Sequence, residues 1–139
     1  MNMKKNILII MLAFGFTFAN AQSIEFRLDS LGSSVNGQSF TVGGLPNPVG
    51  GELVKHLWVI QNSGSQMDIG AKVYELSAGP NGSAHTVCWV QCYMPITTPF
   101  TAPDDLIVED DTVRSNFSAH YYPSGSVGCG QYRYVLYDA

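Results

Sequence analysis

The sequence predicts a small all-β domain arranged as a sandwich of seven to eight antiparallel strands. Short runs rich in Val, Ile, Tyr, Phe and Trp recur at a spacing of roughly 8 to 15 residues. Clusters of Gly, Pro, Asn and Ser separate these runs. From Ser23 onward no segment has a convincing helical period. Together these patterns indicate strands joined by turns.

Residues 1–21 are predicted to be a secretory signal peptide. MNMKKN supplies positive charge, ILIIMLAFGFTFA is apolar, and Ala19-Asn20-Ala21 matches a small-x-small cleavage site. The apolar run is shorter than the roughly 18 to 20 residues that a spanning helix needs. We therefore expect cleavage after Ala21. Residues 22–139 then form one secreted or periplasmic domain with no stable membrane insertion.

Cleavage makes the domain acidic. Lys4 and Lys5 leave with the signal peptide, so five Lys and Arg residues remain against eleven Asp and Glu residues, a formal net charge of −6. A surface with this charge repels phosphate backbones. We expect no nucleic-acid partner.

The first half of the domain contains three strand patterns. SIEFRLD (23–29) alternates apolar and charged residues, as a half-buried strand does. ELVKHLWVIQNSG (52–64) is nearly continuous in apolar residues at its centre, which predicts a central strand buried on both faces. MDIGAKVYELS (67–77) follows after a short turn. We expect the second and third strands to pair as an antiparallel hairpin.

The second half continues the pattern. HTVCWVQCYM (85–94) predicts a strand that is interrupted between its cysteines, and the proline-rich PITTPFTAPDD (95–105) predicts a connection. LIVEDD, VRSNFSAHYYP and QYRYVLYD follow. Alternating large and apolar residues mark one face of each of the last two strands: Phe117, Ala119 and Tyr121, then Tyr132, Tyr134 and Leu136. Strands of this number and spacing are typical of immunoglobulin-like and fibronectin-like β-sandwiches.

Three segments, taken together, resemble a known group of proteins: QNSGSQMDIGAKVYEL, CWVQCYMP and FSAHYYPSGSVGCGQYRYVLYD. The combination covers most of residues 52–138 and resembles exported immunoglobulin-like domain proteins of Bacteroidetes. In that group a close Cys pair precedes Tyr and Pro, and a His-Tyr-x-Pro-x-Gly hairpin closes the domain. Many members carry a sorting tail for type IX secretion, which is not recognisable after Tyr137. The resemblance implies an extracellular or periplasmic sandwich, and no catalytic residues carry over from it.

The cysteines are predicted to be structural. In an extended strand the Cα atoms of Cys88 and Cys92 would lie about 13 Å apart, too far for a disulfide, so bonding requires a bulge or tight turn at Trp89-Val90-Gln91. The resemblance implies that such a loop is closed by the pair, and export to an oxidising compartment favours the bond. A thioredoxin-like redox pair needs C-x-x-C at a helix N-terminus and is not expected. Cys129 is expected either to be a buried thiol or to pair with Cys88 or Cys92.

Two metal sites are conceivable alternatives. Copper favours residues of the types found here: His85, Cys88, Cys92, Met94, the distant His120 and Cys129. A blue-copper site, however, has a histidine between its cysteine and its methionine, and Tyr93 stands at that position between Cys92 and Met94. We favour a structural His85 and a core Met94. Acidic residues near the proline-rich connection offer oxygen ligands for calcium without the D-x-D-x-D-G spacing: Asp104, Asp105, Glu109, Asp110 and Asp111. We expect no metal and no cofactor.

A small extracellular hydrolase is a further alternative. Ser118, His120 and Asp111 have the residue types of a Ser-His-Asp triad, but the sequence contains no nucleophile elbow such as G-x-S-x-G. We therefore expect that the protein is not an enzyme.

Surface chemistry remains as the basis for function. Four large side chains are candidates for contact with protein or glycan: Trp89, Tyr93, Tyr121 and Tyr122. Ser30 and Thr112 lie in Asp-Ser-Leu and Asp-Thr-Val tripeptides that resemble the O-glycosylation motif of exported Bacteroidetes proteins. The sequence thus predicts an exported non-catalytic structural or binding module. A cupredoxin-like electron carrier is the alternative, and a hydrolase is the third hypothesis.

Overall fold

The computed structural model describes residues 24–43, 51–94 and 96–139. The predicted signal peptide, residues 1–21, lies outside the described residues. Within them the structure has nine strands: β1 (Ile24–Arg27), β2 (Leu53–Gln61), β3 (Met67–Ser77), β4 (Ala84–Cys88), β5 (Cys92–Tyr93), β6 (Phe100–Thr101), β7 (Leu106–Val108), β8 (Val113–Tyr122) and β9 (Gln131–Asp138). In the part of the chain that the structure describes, no helix has the length and apolar character needed to cross a bilayer.

The strands form two antiparallel sheets. Sheet A has the order β1-β2-β8-β4-β5, and in sheet B β3 pairs with β9, β6 and β7. The predicted all-β sandwich is confirmed. The strand count exceeds the predicted seven to eight because the proline-rich connection at 95–105 contains the short strand β6 and the interrupted strand predicted at 85–94 is two strands, β4 and β5.

Both sheets contribute to one apolar core. Its largest fully buried side chains are Trp89 and Phe117 from the sheet A side and Ile69 from sheet B. The Phe117 ring meets Tyr134 of β9 edge-on, with the ring centroids 5.3 Å apart. Each large apolar side chain that leaves water in this way contributes roughly 1.5 to 3 kcal/mol. The core therefore lies between the two sheets.

The predicted hairpin of β2 with β3 is wrong. β2 pairs with β1 and β8 in sheet A, whereas β3 belongs to sheet B, so residues 62–66 carry the chain from one sheet to the other. The fully buried Gln61 stabilises this corner. Its side-chain amide donates to the carbonyls of Ser65 and Val108, and its oxygen accepts the Ser63 N–H. Turn residues alone do not reveal whether the strands that they join also pair.

Strand β8 positions the outer face of sheet A. It lies between β2 and β4, so that His120 is opposite Val54 on one side and Thr86 on the other. Side chains alternate along it as the sequence predicts. Phe117 is buried between the sheets. Because of the alternation, Ser118, His120 and Tyr122 lie on the outer face.

Candidate functional site

Trp89 is not a contact residue. Its side chain is 1% exposed, and its indole N–H donates to the Ile69 carbonyl over 2.9 Å. The alternation of β4 explains this position, because Val87 points inward, Cys88 points outward and Trp89 returns to the inside. The prediction that Trp89 contacts a partner is therefore wrong, and Trp89 anchors the β4–β5 turn to sheet B.

The three tyrosine candidates lie in different places. The Tyr93 ring packs on Phe100 with centroids 5.3 Å apart, and its hydroxyl donates to Asp104 over 2.9 Å. Tyr121 points inward, and its ring centroid is 6.3 Å from that of Tyr132. Tyr122 lies on the outer face of sheet A. The structure therefore does not bring the candidates together on one surface.

The disulfide is present and closes the interruption in the predicted strand. Cys88 and Cys92 are directly opposite each other in β4 and β5, with Cα atoms 3.9 Å apart. A tight turn at residues 89–91, in which the Trp89 N–H donates to the Gln91 carbonyl, makes the bond geometrically accessible. Cys129 is an exposed free thiol, so the predictions that it is buried or paired are wrong.

Four side chains on the outer face of sheet A form a hydrogen-bonded cluster, which we call the outer-face network: Glu52, Ser118, His120 and Tyr122. Glu52 Oε1 lies 2.5 Å from His120 Nδ1 and accepts the Tyr122 hydroxyl over 2.6 Å. On the other side of the imidazole, Nε2 lies 2.7 Å from Ser118 Oγ. The pairing of β2 with β8 creates this cluster, because it brings Glu52 next to residues far away in sequence.

Charge in the outer-face network is concentrated on Glu52. The hydrogen bond from Tyr122, followed by that from His120, lowers the pKa of the Glu52 carboxyl, so the group is ionised near neutral pH. In return, the carboxylate raises the pKa of the Tyr122 hydroxyl. Exposed His56 lies beside the network, with its ring centroid 6.4 Å from that of His120. The face therefore combines one carboxylate with imidazole and phenol groups in fixed positions.

The outer-face network has the connectivity of a catalytic triad, but β8 does not supply an oxyanion hole beside it. The triad suggested by the sequence had Asp111 as its acid, and this assignment is wrong. Glu52 contacts His120 instead, and Asp111 occupies a turn with a φ of 54°. β8 pairs with both β2 and β4 along this stretch, so its N–H groups are engaged in the sheet ladders. The N–H groups of β8 are therefore not free to form an oxyanion hole beside Ser118.

His85 belongs to the core. It is 5% exposed, its ring stacks on Tyr132 at a centroid distance of 4.0 Å, and Nε2 lies 2.5 Å from the Tyr134 hydroxyl. Burial is the main cause that lowers the pKa of His85 to about 4, and the charge of His120 adds to it. His85 is therefore neutral at physiological pH.

The copper and calcium alternatives find no support in this geometry. His85 and His120 lie on opposite faces of sheet A, Met94 is 63% exposed rather than part of the core, and Cys129 is exposed in the β8–β9 loop. Among the acidic residues, Asp104 accepts hydrogen bonds from Tyr93 and Gln91, and Asp110 accepts the Gly64 N–H. Over the described ranges, no three His, Cys, Asp or Glu side chains are grouped to hold a metal ion.

Two further features lie away from the outer-face network. A depression of about 170 Å³ lies between the sheet edges, where Ile24 and Phe26 of β1 face Tyr134 and Leu136 of β9.

Both glycosylation candidates are in turns. Ser30 is half-buried after β1, and the Thr112 hydroxyl contacts the Asp110 carbonyl at 3.4 Å. Modification of Ser30 and Thr112 stays a prediction.

The residues that sequence reasoning missed are Glu52 and His56. Glu52 begins the predicted central strand and is separated from His120 by 68 residues, so only the strand pairing reveals their contact. The signal that was present is the alternation of β2, which places His56 on the face away from Leu57.

No family model, curated protein or solved structure matches the chain.

Proposed function

We propose that this chain is an exported, non-catalytic binding module that contacts a protein or a glycan through the outer face of sheet A. The observation that carries the proposal is the outer-face network, in which one ionised carboxylate holds both His120 and Tyr122. Side chains that are already fixed lose little conformational entropy when a partner binds. The network is therefore a preorganised polar surface.

The chemistry of this face suits recognition. Tyr and His combine an apolar ring with hydrogen-bonding atoms, which is why such residues are common in contact surfaces. Tyr122 lies in the outer-face network, and exposed His56 extends the same face along β2. The outer face of a sheet matches the surface of a macromolecule better than a small ligand, which usually needs a concave pocket.

Two features of the sequence agree with this role. The predicted signal peptide directs the domain to the envelope or beyond, where glycans and surface proteins are available. The acidic balance of the domain after cleavage opposes binding to nucleic acid. Both support an extracytoplasmic protein or glycan as the partner.

The test compares the two outer faces of the sandwich. Tyr122→Ala and His56→Ala remove contact groups from sheet A, and Tyr74→Ala removes a tyrosine that is 40% exposed on sheet B. The wild-type protein and the variants are applied to a glycan array and to solubilised cell-envelope proteins. We expect the sheet A variants to weaken binding at least tenfold and Tyr74→Ala to bind normally. Equal losses in all three variants, or no loss in the sheet A variants, would reject the proposal.

The contact between Ser118 and His120 favours a hydrolase as a second candidate. An activated serine reacts with fluorophosphonate probes, because the adjacent imidazole removes its proton. Labelling of Ser118 that disappears in His120→Gln would support this candidate. An intact protein that stays unlabelled would rule it out.

A further inference from the structure

The Cys88–Cys92 disulfide lies against the outer-face network. Cys88 is directly opposite Ser118, on the same face of sheet A, and its Sγ is 3.4 Å from His120 Nε2. The other half of the bond differs, because Cys92 is exposed. Cys92 is thus an exposed residue on the short strand β5, and the sulfur of Cys88 is in contact with an imidazole.

This asymmetry matters for thiol–disulfide exchange. A thiolate attacks the sulfur that it can reach, and the bond opens more readily when the departing sulfur is stabilised as a thiolate. An imidazole in contact with Cys88 Sγ can share a proton with the departing sulfur, which stabilises it as a thiolate. Glu52 on Nδ1 holds the ring in the orientation that places Nε2 2.7 Å from Ser118 Oγ and 3.4 Å from the Cys88 sulfur.

The size of the ring also favours opening. The disulfide joins residues that are four apart in sequence, and a bond that closes so short a loop gains little from restricting the unfolded chain. The indole of Trp89 separately anchors the same turn to the Ile69 carbonyl. The turn therefore has a second attachment when the disulfide is open.

We propose that Cys88–Cys92 is a thiol-exchangeable redox site, with Cys92 as the sulfur attacked and Cys88 as the leaving sulfur. A thiolate forms a bond to Cys92 Sγ, the Cys88–Cys92 bond breaks, and its electron pair goes to Cys88 Sγ beside His120. A second thiolate then attacks the sulfur of the first thiol in the mixed disulfide, and the Cys92 thiolate is released. Two thiols are oxidised to a disulfide, and the protein is reduced to a dithiol.

This site differs from the thioredoxin-like pair that the cysteine spacing argues against. In that pair a helix N-terminus lowers the pKa of the attacking thiol, whereas here an imidazole on the neighbouring strand stabilises the leaving sulfur. The inference is also independent of the proposed binding function, since it needs no partner on sheet A other than a thiol.

The experiment uses the exported full-length product and glutathione buffers of defined ratio. The Cys129→Ser background removes the exposed free thiol. His120→Gln removes the imidazole but keeps a hydrogen-bonding side chain, and His56→Gln is the matched control from the same face. The reduced fraction is measured by alkylation and mass spectrometry. We expect His120→Gln to shift the equilibrium toward the disulfide about tenfold, which is about 30 mV for a two-electron couple. We expect His56→Gln to leave it unchanged.

A second readout keeps the test decisive when His120→Gln does not fold. In the Cys129→Ser protein that retains His120, the trapped glutathione adduct should be on Cys92, with Cys88 free. Glu52→Gln should shift the equilibrium toward the disulfide, the direction expected for His120→Gln. An adduct mainly on Cys88, an equal shift in His56→Gln, or a folded protein that glutathione does not reduce would each overturn the proposal.

Discussion

The two faces of sheet A use the same residue type for opposite purposes. His85 of β4 and His120 of β8 are one register position apart, because His120 is opposite Thr86. His85 lies between the sheets against Tyr132 and Tyr134, while His120 lies on the outer face against Glu52. The inner imidazole is buried and neutral, and the outer one is held by a carboxylate.

The difference shows that strand alternation decides what a histidine does in this fold. On the inside, loss of water makes protonation unfavourable, so His85 acts as a flat aromatic that stacks and makes one hydrogen bond. On the outside, the ionised Glu52 can accept from both His120 and Tyr122. The inner face therefore provides stability, and the outer face provides the fixed polar groups that we propose for function.

Truncation of Trp89 should have the largest effect. Trp89→Ala empties a fully buried site and removes the hydrogen bond to Ile69, so we expect a loss of about 3 to 5 kcal/mol in the free energy of unfolding. Denaturant titration followed by far-UV circular dichroism measures it. Trp58→Ala is the matched control, since Trp58 is half-buried in β2. Similar losses in the two variants would contradict the contrast between the faces.

Acid should destabilise the protein through His85. The folded-state pKa of His85 is lowered from 6.5 to about 4. Below about pH 6.5 the unfolded chain therefore takes up a proton that the folded protein does not bind until the pH is near 4. Stability that is complete above about pH 6.5 should be lost on acidification, by about 2 kcal/mol between pH 7 and pH 5. Denaturant titrations at a series of pH values measure the slope.

His85→Phe should remove most of this slope. The phenyl ring can still stack on Tyr132 but cannot titrate, and the Tyr134 hydroxyl loses its partner at a pH-independent cost of about 1 kcal/mol. His120→Gln, on the other face, should keep most of the loss between pH 7 and pH 5, because burial is the main cause of the lowered pKa of His85. A His85→Phe protein with the wild-type slope would show that His85 is not the buried titrating group.

Glu52→Gln should have the smallest effect on stability, within about 1 kcal/mol, because its interactions are near the surface and screened by water. The variant should change Tyr122 instead. Loss of the carboxylate removes the hydrogen bond and the negative charge that raise the pKa of Tyr122, so this pKa should fall toward 10. Carbon-13 NMR of labelled tyrosine over an alkaline titration measures the change. Tyr93, whose hydroxyl contacts Asp104 instead, is the internal reference.

Alternation within single strands could be predicted from the sequence. The pattern of β8 grouped Phe117, Ala119 and Tyr121 on one face, and the structure has that face inside, with Tyr122 on the other. Local pattern is sufficient here because successive side chains in a strand must point to opposite faces. The disulfide-closed interruption between β4 and β5 was predictable for the same local reason, together with the resemblance.

Pairing between distant strands could not be predicted in this way. The turn after β2 fits a hairpin as well as a crossing between sheets, and the buried Gln61 that stabilises the crossing finds its Val108 partner 47 residues away. Glu52 was missed for the same reason, since its contact with His120 depends on the register of β2 with β8. Ser118 and His120 are close in sequence, so that half of the cluster could be identified.

The central claim is that the outer face of sheet A is the contact surface, and site-specific photo-crosslinking in cells that express the protein tests it most directly. A photoreactive phenylalanine analogue replaces Asn116, which is exposed on the outer face of sheet A beside the proposed contact groups, or Tyr74, which is exposed on sheet B. We expect a discrete crosslinked product from position 116 that disappears when Tyr122→Ala is added, and no such product from position 74. A product from position 74 alone, or equal products from both positions, would contradict the assignment of the binding surface.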